Sequence, residues 1–402
     1  MKFSVSRDDL YNALQKIIGV VPARTTTPIL TNILFELHGD KLELTATDLE
    51  ILTTTYITVE GEEDGAIALQ GKFLNDILRE LKNVKMSFEL EEGYRMILRT
   101  DWGEYKLTGD PAEDFPLMPV EEFMNSFEIS QGVMRRMIEK TSFAVSKDEM
   151  RPALMGVLFQ IRAQELRMVG TDGHRLARII YKDFSSDAED TDIIVQTKAL
   201  LLLEKNIEDS KEKLRVNFGE NFIVFDLDRI KIYSRLVDSE YPDYEYAIPY
   251  ENSKKLLVGT EELLGSVRRV SIFSSALSSQ VQLSIEDTLL EVFSQNIETG
   301  AEAHERLHVD YEGDPIVIAF NSHYFIDTLK HVDTPQVKIM LEKPLTAVMI
   351  LPSHQNENED LLMLIMPVRL GPEEEEEESG VSYNAEGDLE DHSAAESDEV
   401  DY

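Results

Sequence analysis

Three stretches of this chain repeat one another, and the repetition limits the folds open to it more than any other feature. Residues 6–21 read SRDDLYNALQKIIGVV, residues 130–146 read SQGVMRRMIEKTSFAVS and residues 260–275 read TEELLGSVRRVSIFSS. Each begins on a residue able to cap a helix and continues with apolar side chains at helical spacing and bases in the middle. They start about 125–130 residues apart. The segments after these helices repeat as well. Residues 34–48, 158–172 and 283–296 each alternate apolar and polar side chains through a strand, a short polar turn and a second strand. An apolar strand then leads into a second helix in AIALQGKFLNDILRELKN, DIIVQTKALLLLEKNIED and PIVIAFNSHYFIDTLKHVD, and closing strands come next in every third. This order predicts an α+β chain of three repeated domains, each made of two half-copies of a helix and an antiparallel meander. Boundaries are expected near Val120–Asn125 and Pro249–Ser253, giving domains over 1–122, 125–250 and 253–370.

The remaining 371–402 differ in kind. They carry 14 Asp or Glu and no Lys or Arg, with too few apolar residues to offset the entropy of ordering, so an acidic disordered tail is expected. Without the tail the chain is still at −24, against −38 for the whole. So acidic a surface argues against nucleic acid as a partner unless a local region is spared.

Several function classes fall away. There are no cysteines, which excludes disulfides, thiolate metal sites and cysteine nucleophiles, and fits a reducing cytoplasm. No apolar run of about 18 residues exists, so no membrane partner is expected. The start, MKFSVSRDDLYNAL, lacks a basic-then-apolar signal pattern, and the protein is expected to stay in the cytoplasm. No HExxH, GxSxG or phosphate-loop pattern occurs. In TDGHRLA (171–177) Asp172 and His174 invite a catalytic reading, yet a pair without a nucleophile or third ligand is weak. A tight turn with Gly173 at positive φ explains TDG as well. No catalytic residue, metal site or cofactor is therefore expected.

With three copies in place, the strings TDGHRLA, YPDYEYAIP (241–249) and MPVRL (366–370) resemble the beta subunit of bacterial DNA polymerase III, the sliding-clamp family. The opening MKFSV, Arg24, Thr27-Pro28-Ile29-Leu30 and the DFP at Asp114–Pro116 match as well, in family order over residues 1–370. The resemblance implies three clamp domains with helices inside and sheets outside, and two chains closed head to tail into a homodimeric ring. It implies a non-catalytic processivity factor around double-stranded DNA of any sequence, in the cytoplasm at the nucleoid. It also implies a groove between the second and third domains for a short Gln-containing, hydrophobic-ended peptide. The replicative polymerase alpha subunit, the clamp loader and repair polymerases would bind there. Matching positions are Arg151, Leu154, Thr171, Gly173, His174, Arg175, Leu176, Pro242, Tyr246, Ala247, Leu364, Met366, Pro367, Val368 and Arg369. Tyr246-Ala247 stands where the family often has a basic residue and then Val. Ring closure would involve Tyr105 and Leu107 of the first domain, Ile272 and Phe273 of the third, and Ile77. The tail lies outside the resemblance; it would either solubilise the chain or compete with DNA for basic surface.

Charge placement agrees with a ring around DNA. The six candidate helices sum to +1 over 87 residues, so they are spared the acidity of the body. Acids such as Asp8, Asp9, Glu261 and Glu262 sit in first turns, where the helix dipole favours them. Candidate phosphate contacts are Arg24, Lys72, Arg79, Arg135, Arg136, Lys147, Lys198, Arg268 and Arg269. Arg24 and Lys198 match family positions, while Thr197 stands where a second base is often found.

Overall fold

The computed structural model describes residues 1–118, 123, 125–275 and 277–369. Expectations for Val120, Leu370 and the tail at 371–402 lie outside them. The described residues hold α1 (Arg7–Ile17), α2 (Gly71–Glu80), α3 (Gln131–Ser142), the single turn α4 (Pro152–Met155), α5 (Thr197–Asn206), α6 (Thr260–Val270) and α7 (Ser322–Lys330). All but α4 open a copy of one unit, which is a leading strand, a helix and a three-stranded antiparallel meander. The unit occurs six times, twice in each third of the chain.

Local chemistry sets the helix starts. The Ser6 hydroxyl accepts from the Asp9 amide, Ser130 from Val133, and Asn321 from His323 and Tyr324. The third repeat departs from expectation. Thr260 is the first residue of α6 and not its cap; its hydroxyl donates to the Thr334 carbonyl at 2.7 Å, tying the helix start to a neighbouring loop.

The two units of a domain exchange leading strands. Lys2–Ser6 pairs with Lys85–Glu91 of the second unit, and Gly65–Gln70 pairs with Asn32–His38 of the first. The same exchange ties Asn125–Ser130 to Lys213–Phe218 and Thr191–Gln196 to Gly156–Ile161. It recurs between Lys254–Gly259 and Gln336–Leu341, and between Ile316–Asn321 and Gln280–Glu286. Each unit's sheet is thus completed by a strand from its sister. The paired helices α1 and α2, α3 and α5, and α6 and α7 pack side by side on these sheets. One apolar core, including Phe3, Phe35, Phe88, Phe159, Phe225 and Phe325, runs through all three domains.

The third strand of each meander does something else. Ile51–Thr58 pairs with Ile230–Arg235, fusing first and second domains into an eight-stranded sheet. Arg175–Tyr181 pairs with Glu359–Ile365, fusing second and third into a nine-stranded sheet. Two third strands stay unpaired on their outer side, Gly103–Thr108 at one end and Ala301–His308 at the other.

Ionic contacts brace the second joint. The Arg136 guanidinium binds Glu359 at 2.8 Å and also Asp333, while fully buried Lys140 reaches Asp333 at 2.5 Å. Arg136, expected as a phosphate contact, is thus engaged at the joint by two carboxylates. Beside them His331 stacks on Phe143 at 3.9 Å. Burial holds the His331 imidazole below its ordinary pKa, even though its Nδ1 lies 2.7 Å from the Asp327 carbonyl. Burial would raise the Asp333 carboxyl, but hydrogen bonds from Lys140 and Arg136 outweigh it and hold the pKa down. Both shifts act in one direction. Below about pH 6.5 the unfolded histidine binds a proton that the folded one resists, so the stability His331 contributes is present above that value and lost as pH falls. Asp333 adds a further loss deeper in acid. Urea unfolding is expected to show stability dropping between pH 7 and pH 5, with a shallower drop in His331→Gln; an unchanged slope in that variant would remove His331 as the group responsible.

Candidate partner groove and nucleic-acid interface

The turn at Thr171–Arg175 is built from its own side chains. The Asp172 carboxylate accepts from the amides of His174 (2.8 Å) and Arg175 (3.0 Å) and from Arg175 Nε (3.2 Å). The Thr171 hydroxyl donates to the Arg175 carbonyl and accepts from the Gly173 amide, and Gly173 sits at φ +89°. The first domain repeats the backbone part of this turn. Asp48 accepts from Glu50 and Ile51, Thr47 donates to the Ile51 carbonyl, and Leu49 takes φ +77°. A turn that recurs at the equivalent position of another domain is architecture, and both oxygens of its aspartate are already engaged in holding it. Among the described residues no cluster of three or more His, Asp or Glu could hold a metal.

This turn stands at the end of an apolar shelf on the outer face of the nine-stranded sheet. Leu158, Val169, Leu176, Met349, Leu362 and Leu364 form its floor, and Tyr244 and Ile248 lie across it from the segment after the second domain. The Tyr241 hydroxyl donates to the Val169 carbonyl and that of Tyr244 to Gln160 Oε1 at 2.7 Å. Burial pushes the Tyr244 phenol up to about 12, so it stays a neutral donor. A cleft of about 520 Å³ opens between Leu158, Ile194 and the backbone of Ser239–Glu245. The chain leaves the sheet through Met366, whose amide donates to the His174 carbonyl at 2.8 Å, and Val368, whose amide donates to Ala319 at 2.8 Å.

The structure sorts the predicted groove residues into three kinds. Leu176 and Leu364 are buried floor, and Leu154 is buried on α4. Gly173, His174, Pro242, Tyr246, Ala247, Met366 and Arg369 are exposed around the shelf, with Pro367 and Val368 half-buried; Tyr246 is 91% exposed. Thr171, Arg151 and Arg175 serve the turn. Arg151 Nη1 donates to the Asp172 carbonyl, and buried Arg175 binds Asp172 and Asp327 between the rings of Phe143 and Tyr324. Arg175 therefore braces the second domain against the third. Met349 and Leu362 escaped the sequence reading; alternation along their strands was the available signal.

Of the nine candidate DNA contacts, Arg24, Lys72, Arg135, Lys147 and Arg268 are exposed and form no ion pair among the described residues. Arg79 is held by Asp76 and Glu80, Lys198 by Asp48, and Arg269 by both oxygens of Glu305 at 2.7 Å. Lys205 on α5 and Lys330 on α7 add exposed bases to the same helical layer. At the open ends Ile272 is 79% exposed, Phe273 is also exposed, and Tyr105 and Ile77 are half-buried. Leu107 differs from expectation: its side chain is inside its own domain's core, and only its backbone lies on the open edge.

A thrice-repeated domain whose sheets fuse end to end, with basic side chains on its helical layer, defines a clamp-type fold. Family comparison agrees. Residues 1–119, 128–243 and 245–369 match the N-terminal, central and C-terminal domains of the DNA polymerase III beta subunit. The beta sliding clamp of Vibrio cholerae is 32% identical over 374 residues, spanning 92% of this chain and all of the relative, and that of Bacillus subtilis is 28% identical over 379. Among solved structures, the Bartonella birtlesii sliding clamp bound to griselimycin superposes with TM-score 0.88 at 30% identity, and the Pseudomonas aeruginosa clamp bound to griselimycin with 0.87 at 30%. Each covers 92% of this chain and is itself covered completely. The chain belongs to the DNA polymerase III beta-subunit family, the beta sliding clamps, which are non-catalytic processivity factors.

Proposed function

We propose that two copies of this chain close head to tail into a ring around duplex DNA, held there by topology. One observation carries the reading. Third-strand pairing joins first to second domain and second to third, and the two third strands left open lie at opposite ends, one in the first domain and one in the third. Two chains pairing Gly103–Thr108 with Ala301–His308 twice would leave no third strand unpaired. Matching positions support this. Counted from the N-caps Ser6, Ser130 and Gly259, the equivalent residue near the end of the first helix is Gly19 in the first domain, with Leu202 3.3 Å from where its Cβ would stand, and Phe143 in the second, stacked on His331. In the third it is Ile272, which faces solvent. Ile272 and Phe273 would then pack on α2 of the other copy, near Ile77 and exposed Phe73.

The domains of the ring would be 1–122, 125–250 and 253–370, followed by the tail. The exposed bases Arg24, Lys72, Arg135, Lys147 and Arg268 make the helical layer the DNA side, in a chain otherwise strongly acidic. Few and scattered phosphate contacts suit sliding, since each adds sequence-independent and salt-sensitive attraction. The shelf and its exposed Met366 would take the hydrophobic-ended peptides of a replicative polymerase, clamp loader and repair polymerases; methionine adapts to varied ligands. The protein would act in the cytoplasm.

Two outcomes test this. After clamp-loader assembly on nicked circular DNA, cutting the circle is expected to release the protein within minutes, while uncut circles retain it; retention on linear DNA with free ends contradicts a ring. Met366→Ala is expected to weaken binding of a hydrophobic-ended peptide about tenfold by fluorescence anisotropy, consistent with losing about 1–2 kcal/mol of buried thioether contact. Equal affinity would move the peptide off the shelf.

A further inference from the structure

The two joints inside the chain obey one register, and that register transfers to the open ends. At the first joint Thr53 faces Ile232, and at the second Ala177 faces Met363. Thr53 and Ala177 hold the same place, since each lies opposite the residue before the Thr-Asp turn, Ala46 in one case and Gly170 in the other. Ile232 and Met363 also correspond. Each lies opposite a middle-strand residue, Phe225 or Ile350, which in turn faces the fourth residue of its first strand, Val216 or Ile339. At the open ends the equivalent places are fixed by the same correspondence. Ala303 faces Ser294, the residue before the third domain's turn pair Gln295-Asn296. Tyr105 faces Leu98, which faces Phe88, fourth in Lys85–Glu91.

We infer that the two copies meet with Ala303 opposite Tyr105, so that on the outer face Glu302 lies opposite Lys106 and His304 opposite Glu104. This rests on the ring reading and deepens it to residue pairs. Charge and shape on both edges select the register. Glu302, His304, Lys106 and Glu104 are exposed, and Glu302 and Lys106, unlike in charge, come to face each other. Lys106 already touches Glu104 at 3.2 Å, and Glu104 is also held by Arg99, so Glu302 would extend an existing chain of alternating charge. On the inner face Glu305, with Arg269 clasping it, falls against Gly103, where no side chain competes for room. A slip of two residues one way sets Glu302 against Glu104, a like-charge pair that destabilises a sheet. The other way drives Glu305 into the Tyr105 ring and sets His304 against Lys106. A slip of one residue would set the outward side chains of one edge opposite the inward ones of the other, which the common pleat of a sheet does not allow.

The absence of native cysteine makes the test clean. Directly opposite residues hold their Cβ atoms about 4.5–5.5 Å apart and diagonal ones about 7–8 Å, so only the former readily form a disulfide. Lys106→Cys/Glu302→Cys is expected to cross-link into a covalent dimer on mild oxidation at least tenfold faster than Glu104→Cys/Glu302→Cys. As a second measurement, Lys106→Glu is expected to raise the dimer dissociation constant about tenfold, and adding Glu302→Lys to restore most of it. Faster cross-linking of the Glu104 pair overturns the register while leaving the ring intact. No cross-link in either variant, with the chain sedimenting as a dimer, places the seam elsewhere and overturns the proposal. A monomer for the unaltered chain removes the ring and the register together.

Discussion

Antiparallel pairing between third strands of neighbouring units is the interaction on which the rest of the architecture depends. Each domain could bury its helices without it, since exchange of leading strands already completes two sheets. The third-strand contacts Ile51–Thr58 with Ile230–Arg235 and Arg175–Tyr181 with Glu359–Ile365 join the sheets of three domains end to end. Backbone pairing indifferent to side chains explains how diverged repeats share one joint. The side chains then tune each joint separately. The first has Lys198 reaching Asp48 and the Val20 carbonyl, with Arg235 and Gln196 on Glu50, whereas the second carries the more buried network of Arg136, Lys140, Arg175 and Asp333.

The same strands account for a shelf at the second joint. Outward positions there are Leu176, Leu362 and Leu364, with Met349 beside them, giving an apolar surface. At the first joint the outward neighbours are Leu52 and Thr54 against Tyr233 and Lys231. On the open edges they are Glu302 and His304 at one end and Glu104 and Lys106 at the other, which are charged or titratable throughout. One backbone geometry thus yields a candidate peptide site, a plain domain contact and two charged edges, according to which side chains point outward.

Much of this was legible in the sequence because repetition shows it three times over. The helices, the meanders and the six-unit count follow from periodicity, and the family resemblance agreed with them. Long-range partners were not legible. Nothing local says that Arg136 turns to Glu359, that Lys140 is fully buried, or that Arg175 is sandwiched between Phe143 and Tyr324. Arg135, one residue away from Arg136 and identical in type, stays exposed because successive helix positions point about 100° apart. Leu107 was misplaced for a related reason: alternation puts one face of an edge strand in its own core. The turn at Asp172 shows the opposite case, since its twin at Asp48 was in plain sight and identified it as structure.

In the assembled ring all six third strands would be paired. Amide hydrogen exchange of the full chain, followed in Gly103–Thr108 and Ala301–His308, tests this most directly. Pairing between copies predicts that alternate amides on these edges exchange as slowly as those of Arg175–Tyr181, and that dilution to the monomer frees them. Rapid exchange on both edges at concentrations where the protein is dimeric would contradict it.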